Sequence, residues 1–108
     1  MTTASPDALA STGLSPKTWV AIQGVLAKHP HVAQAILYGS RAMGRHKTAS
    51  DIDMTLVGAQ LTASEMGDIA AELDDLLLPY EIDLSAQHLL NHPELLAHIE
   101  RVGVIFYP

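Results

Sequence analysis

The segment from Asp51 to Val57 constrains the fold of this chain most, because acids or threonine alternate in it with apolar residues. Successive side chains of a β-strand point to opposite faces of the sheet. The pattern therefore predicts a strand with one face in the core and the other facing solvent or a site.

Other segments predict a sheet that is covered by helices. Short apolar runs that end at glycine or proline indicate buried strands, and apolar residues at helical spacing behind Ser, Thr or Asn caps indicate helices. The predicted strands are Val32–Tyr38, Asp51–Val57, Tyr80–Leu84 and an edge strand Val104–Tyr107; the predicted helix starts are Ser15-Pro16, Ser40, Thr62 and Asn91–Pro93. This order predicts a single-domain α/β fold with a mixed β-sheet of three to four strands.

Residues 1–14 differ from the rest of the chain. They are small and polar and are interrupted by Pro6 and Gly13. We expect them to form a flexible N-terminal arm, and residues 15–108 to form the domain.

Composition limits the classes of function. The 108 residues suffice for one domain with a modest core. Twelve acidic residues against six Lys and Arg give a formal net charge of −6; proteins that bind a long nucleic-acid backbone alone usually show the opposite balance. The absence of cysteine excludes disulfides and thiolate metal sites. Because no signal peptide and no apolar run of membrane-spanning length is found, we expect a cytoplasmic protein without membrane contact.

Gly39 and Ser40 lie where a predicted strand meets a short helix. Glycine lets the backbone approach a ligand closely, and amides at a helix N-terminus favour phosphate oxygens. Arg41 and Arg45 add positive charge nearby. The turn is a candidate phosphate site, although Gly-Ser is also common in ordinary turns.

Asp51 and Asp53 share one face of their strand, about 7 Å apart along the backbone. Two carboxylates in this position repel each other unless a cation lies between them. Magnesium accepts one or two carboxylates together with substrate phosphates, so the pair is a candidate magnesium site. The alternative is a solvated strand face.

Asp83 is a third candidate, since an acid between Ile82 and Leu84 interrupts a strand otherwise committed to the core. Glu81 shares its face by period and competes for the same role. His88, His92 and His98 lie near one another in the chain, but Pro93 interrupts any shared helix. We expect a surface cluster there and no zinc site.

These features follow one another in a recognisable order. Gly39-Ser40, the ten residues 41–50 and then Asp51-x-Asp53 form a Gly-Ser-x10-Asp-x-Asp signature, and a third carboxylate follows in a later strand. In this signature the chain resembles the DNA polymerase β-like nucleotidyltransferase superfamily, and residues 37–53 resemble its minimal members, the MNT domains, especially closely. The resemblance covers nearly the whole chain and implies that residues 15–108 form a minimal nucleotidyltransferase domain.

The resemblance also implies roles for the site residues. Catalysis would use magnesium, with two ions in the family's mechanism, and ATP as the substrate; an acceptor attacks the α-phosphorus and pyrophosphate leaves. The implied catalytic and metal-binding residues are Asp51, Asp53 and Asp83. The implied nucleotide-binding residues are Gly39, Ser40, Arg41, Arg45 and Ser50.

A partner is implied in the same way. Minimal nucleotidyltransferases of this kind are typically paired with a small helical HEPN protein, a ribonuclease toxin. The chain would then be an antitoxin that transfers AMP from ATP to a tyrosine of its cognate HEPN toxin. Two alternatives stay open: an antitoxin that neutralises the toxin by binding alone, and a nucleotidyltransferase that acts on a small molecule or RNA. The sequence fixes neither the nucleobase nor the acceptor tyrosine.

Overall fold

A computed structural model describes residues 2–3, 5–45, 47 and 50–108; of residues 2, 3, 6 and 7 it describes the backbone only. The strands are β1 (Thr2–Thr3), β2 (Gln34–Tyr38), β3 (Ile52–Val57), β4 (Ile82–Ala86) and β5 (Val104–Tyr107). The helices are α1 (Pro6–Ala10), α2 (Pro16–Leu26), α3 (Gly39–Ala42), α4 (Ala63–Asp74) and α5 (Pro93–Val102), with a 3₁₀ turn at Gln87–Leu89.

The strands form one mixed sheet in the order β1-β5-β2-β3-β4. β2 pairs antiparallel with both β3 and β5, whereas β3 and β4 run parallel, with α4 between them in the chain. The predicted α/β fold is confirmed: four strands of four to six residues form the sheet, and the two-residue β1 extends it. The edge position predicted for Val104–Tyr107 is wrong, because β1 pairs with the free side of β5.

Helices α2 and α4 begin where the capping residues predict, whereas α3 begins at Gly39, one residue before the predicted Ser40, and has no side-chain cap. The Ser15 hydroxyl accepts a hydrogen bond from the Thr18 amide at 3.2 Å, and Thr62 accepts from the Glu65 amide at 3.1 Å. His92 Nδ1 accepts from the Leu95 amide at 3.0 Å and caps α5. No helix within the described residues is long and apolar enough to cross a membrane.

The third predicted strand is displaced by two residues, to Ile82–Ala86. Tyr80 lies outside the ladder because its ring packs against the Arg41 guanidinium, 4.6 Å from the ring centroid. The Glu81 carbonyl accepts from the Ile52 amide at 2.9 Å, just before the strand begins. The alternation itself is preserved, since Ile82 and Leu84 pack on the core and Asp83 is exposed.

The two faces of the sheet are covered unequally. Helices α2 and α4 pack on one face, where the larger core cluster contains Ile52, Met54 and Leu56, all fully buried. Helix α5 packs on the other face through Ile99, over Ile36 and Tyr38. The polar residues of β3 therefore lie on the face that α5 covers only in part.

The predicted N-terminal arm contains β1 and α1 in the structure, and the loop behind α1 reaches the core. Thr12 is fully buried and Leu14 is 7% exposed. The Thr12 side chain donates to the Leu9 carbonyl at 2.6 Å, which satisfies a hydroxyl that is otherwise costly to bury. The flexibility of residues 1–14 stays a prediction.

Candidate active site

Three acidic residues lie together on the partly covered face of the sheet. Asp53 is the register partner of Tyr38 on β2 and of Asp83 on β4, so these three side chains form a row across three strands. Asp51 lies directly before β3, two residues from Asp53, and its charge acts on the Asp53 carboxyl. The topology thus brings together the three acids that the sequence singles out.

Glu81 lies outside this row. It precedes β4, and register pairing of β3 with β4 begins only at Ile52 and Ile82. The partner of Asp53 is Asp83, which favours Asp83 over Glu81 as the third acid.

The acids influence one another electrostatically. Burial raises the pKa of Asp53 above its ordinary value of 3.8, and the charges of Asp83 and then Asp51 raise it further. Burial also raises the pKa of the Tyr38 hydroxyl; Ser85 opposes this shift, and Asp83 and Asp53 add to it. Like charges held together at this position favour a cation or a proton between them.

Gly39 brings the predicted phosphate turn against this row. Its φ is +74°, in the left-handed region that glycine adopts without strain. A β-carbon at this position would overlap Asp53 Oδ2 and lie 3.1 Å from Asp53 Cγ. Gly39 therefore serves both the turn and the close approach of the Asp53 carboxylate. Ser40 follows it at the start of α3 and is partly exposed.

The structure places Arg41 inside the fold. Its side chain is 1% exposed. Nε and Nη2 donate to the Ser50 carbonyl at 3.1 and 2.9 Å, and Nη1 donates to the Thr12 carbonyl at 2.8 Å. Arg41 thus ties the N-terminal segment to the residue before Asp51, and its contacts are those of a scaffold for the acid strand.

The remaining predicted nucleotide-binding residues lie around the loop between α3 and β3. Arg45 is exposed, and its amide donates to the Ser40 carbonyl at 2.9 Å. Ser50 Oγ accepts from the Lys47 amide at 2.8 Å and closes this loop. His46, considered as a loop residue near phosphate, lies outside the described residues.

His98 is a site residue that the sequence analysis missed. Its Nε2 accepts a hydrogen bond from the Gly39 amide at 3.3 Å, although the two residues are 59 positions apart. The rings of His98 and Tyr38 meet edge to face, with centroids 6.2 Å apart. Of the other two histidines in the predicted surface cluster, His88 is exposed and His92 caps α5. No local pattern separates His98 from them, because its partners are distant in the chain.

The donor set suits magnesium, which the family resemblance implies. Within the described residues no three His, Asp or Glu side chains form a ready group for a metal ion. Magnesium usually takes one or two protein carboxylates and completes its shell with water and substrate phosphates, so a closed protein cage is not required. Asp51, Asp53 and Asp83 supply oxygen donors whose mutual repulsion a divalent cation relieves.

Comparison with known proteins identifies the family and the fold of the chain. The family model described as "Polymerase beta, Nucleotidyltransferase" matches residues 21–108. A search of the curated proteins finds no match.

Several solved structures share the fold. A toxin–antitoxin structure with AMP-PNP matches with a TM-score of 0.68 and 22% identity, over 82% of this chain and 71% of that chain. A tri-AMPylated HEPN toxin of Shewanella oneidensis in complex with MNT antitoxin matches with a TM-score of 0.64 and 20% identity, over 83% and 69%. The toxin–antitoxin MntA-HepT matches with a TM-score of 0.64 and 19% identity, over 85% and 71%. At these identities the likeness establishes a common fold.

Proposed function

Because the chain belongs to the polymerase beta nucleotidyltransferase family, we propose that it transfers AMP from ATP to a tyrosine of a cognate HEPN toxin and so acts as an antitoxin. The observation that carries the proposal is the row of Asp53 and Asp83 across β3 and β4, with Asp51 beside it and Gly39 against Asp53. This arrangement joins a phosphate-binding turn to a set of carboxylates.

The acids and the turn have separate tasks. Gly39 lets the backbone of the turn approach the phosphates of ATP, Ser40 supplies donors to them, and Arg45, which is exposed beside the turn, adds positive charge. Asp51 and Asp53 would hold magnesium, which would neutralise charge on the phosphates. Arg41 holds the Ser50 carbonyl and so positions the start of β3.

The reaction is a substitution at the α-phosphorus. The tyrosine oxygen of the acceptor forms a bond to that phosphorus, the bond to the bridging oxygen of the β-phosphate breaks, and pyrophosphate leaves. Asp83, exposed at the end of the row, accepts the proton of the tyrosine hydroxyl. β4 is the outer strand of the sheet within the described residues, and the exposure of Asp83 on it makes this carboxylate accessible to the acceptor.

The choice of acceptor is supported by the solved neighbours and by charge. One of the structures with this fold contains a tri-AMPylated HEPN toxin, and another contains an ATP analogue. The net charge of −6 suits docking on a basic, RNA-binding surface better than binding RNA itself.

The test is the intact mass of the product of the adjacent open reading frame after incubation with this protein, ATP and magnesium. We expect a gain of one or more AMP units with the wild type, and no gain with Asp53→Asn or Asp83→Asn. Glu81→Gln is the matched control, because it removes an acid of the same strand region outside the row, and it should retain the transfer.

Other outcomes separate the alternatives. A stable complex without any mass gain would favour an antitoxin that neutralises by binding alone. Loss of transfer in Glu81→Gln with retention in Asp83→Asn would assign the third acid to Glu81.

A further inference from the structure

His98 reaches the phosphate turn from the C-terminal helix. Its neighbour Ile99 is fully buried and anchors α5 on the face of the sheet that carries the acids. With α5 fixed in this way, the His98 ring contacts both the Tyr38 ring and the amide of Gly39. The contact therefore joins the last helix of the chain to the turn that follows β2.

The hydrogen bond satisfies an amide that has no local acceptor. Gly39 is the first residue of α3, and the first amides of a helix have no partner within it. Tyr38, at the capping position, makes no side-chain cap bond. His98 Nε2 supplies the missing acceptor at 3.3 Å. Since Nε2 accepts, Nδ1 carries the proton of the neutral ring.

Two contacts hold Gly39 in place. The Asp53 carboxylate lies so close that a β-carbon would overlap it. His98 binds the amide, and its ring is oriented by the edge-to-face contact with Tyr38. A displacement of the turn would therefore change its position relative to Asp53, the carboxylate on which the nucleotide chemistry depends.

We propose that His98 is a positioning residue of the nucleotide site, which fixes the Gly39-Ser40 turn against Asp53 by accepting the Gly39 amide. The inference rests on the proposed function, because it assigns ATP to this turn. His98 acts through the turn and does not touch the reacting atoms. Its loss should weaken ATP binding more than it slows the transfer step.

The experiment compares three variants of the whole chain by calorimetric titration with AMP-PNP and magnesium. His98→Leu removes the acceptor, His98→Gln places an amide oxygen near the position of Nε2, and His88→Leu is the control at an exposed histidine. We expect His98→Leu to raise Kd by about fivefold, the equivalent of one net hydrogen bond. The Kd of His98→Gln should stay within about twofold of the wild-type value, and the Kd of His88→Leu should equal the wild-type value.

The transfer reaction gives a second readout. With saturating ATP, His98→Leu should keep kcat within about threefold of wild type while its KM for ATP rises as Kd does. Thermal unfolding of each variant shows whether it is folded at the temperature of titration. If His98→Leu fails to fold, His98→Ala removes the acceptor without adding apolar bulk and replaces it in the comparison.

Four results would overturn the proposal. Tighter binding in His98→Leu would mean that the ring competes with phosphate for the Gly39 amide. Equal losses of AMP-PNP affinity in His98→Leu and His98→Gln would mean that the imidazole itself is required. Unchanged affinity in both variants would show that His98 does not position the turn. A wild type that does not bind AMP-PNP would overturn the proposed function as well, whereas the first three results leave that function standing.

Discussion

Gly39 is the residue at which the backbone and the chemistry constrain each other. Its φ of +74° excludes most other residues on conformational grounds, and Asp53 fills the space where a β-carbon would lie. Gly44 has a similar φ of +68° but has no atoms within 4 Å of its would-be β-carbon. A comparison of substitutions at the two glycines therefore separates the effect of backbone strain from the effect of contact with Asp53.

We predict that Gly39→Ala abolishes AMP transfer and destabilises the fold more than Gly44→Ala. Both changes bear the cost of a left-handed alanine, about 1–2 kcal/mol, but only Gly39→Ala must also displace the Asp53 carboxylate. Urea unfolding gives the difference in the free energy of unfolding, and the intact-mass assay gives the activity. Equal destabilisation by the two changes would show that the turn yields to a methyl group without disturbing Asp53.

Arg41 connects several secondary-structure elements and so affects how the acids of the site are positioned. From α3 it holds the Ser50 carbonyl, one residue before Asp51, and the Thr12 carbonyl, which belongs to the segment behind α1. Its guanidinium also packs on Tyr80, just before β4. A single buried cation therefore ties together the elements on which the acids stand.

We predict that Arg41→Met lowers the free energy of unfolding by about 2–4 kcal/mol, because it leaves buried carbonyls without their donors. Arg45→Met is the control: Arg45 is exposed, so stability should change by about 0.5 kcal/mol or less. Nucleotide affinity at a temperature where both variants are folded should fall in Arg45→Met. A stable Arg41→Met protein with weak nucleotide binding would instead return Arg41 to the phosphate role that the sequence suggests.

Local patterns predict the elements well, whereas contacts between elements limit the prediction of the site. The alternation in β3 places Ile52 in the core and Asp53 on the opposite face, and the caps at Ser15 and Thr62 predict where α2 and α4 begin. The start of β4 is missed because Tyr80 packs on Arg41, a contact across 39 residues that no local pattern reveals.

The site shows the same division. Asp51, Asp53 and Asp83 are predicted from strand period and motif, because both patterns occupy short stretches of sequence. The burial of Arg41 and the contact of His98 with Gly39 depend on how α3, α5 and the N-terminal segment pack. The fold therefore changes the interpretation of both residues: Arg41 is buried in the interior, and His98 lies at the site.

Across the whole molecule, the two faces of the sheet differ in how completely helices cover them. One face of the sheet packs against α2 and α4, while the face with the acids is covered by α5 over Ile36 and Tyr38 and stays accessible at Asp83. The chain also carries a formal net charge of −6. Repulsion among carboxylates clustered on the accessible face of an already acidic protein opposes folding. A bound cation reduces this repulsion and so stabilises the folded state.

We predict that Asp53→Asn stabilises the protein at neutral pH in the absence of divalent cations and removes part of its pH dependence. Because the pKa of Asp53 is raised in the folded state, the folded chain binds its proton more tightly than the unfolded chain. Its destabilising effect is therefore absent below the ordinary pKa of 3.8, grows as the pH rises through the folded pKa and is complete above it. Urea unfolding from mildly acidic to neutral pH, with and without magnesium, measures the difference in the free energy of unfolding between variant and wild type.

Magnesium should stabilise the wild type and close this difference, whereas Asp68→Asn, which changes an exposed acid of α4, should respond to magnesium as the wild type does. A wild type that magnesium does not stabilise, or an Asp53→Asn variant that it stabilises equally, would show that Asp53 does not hold the cation.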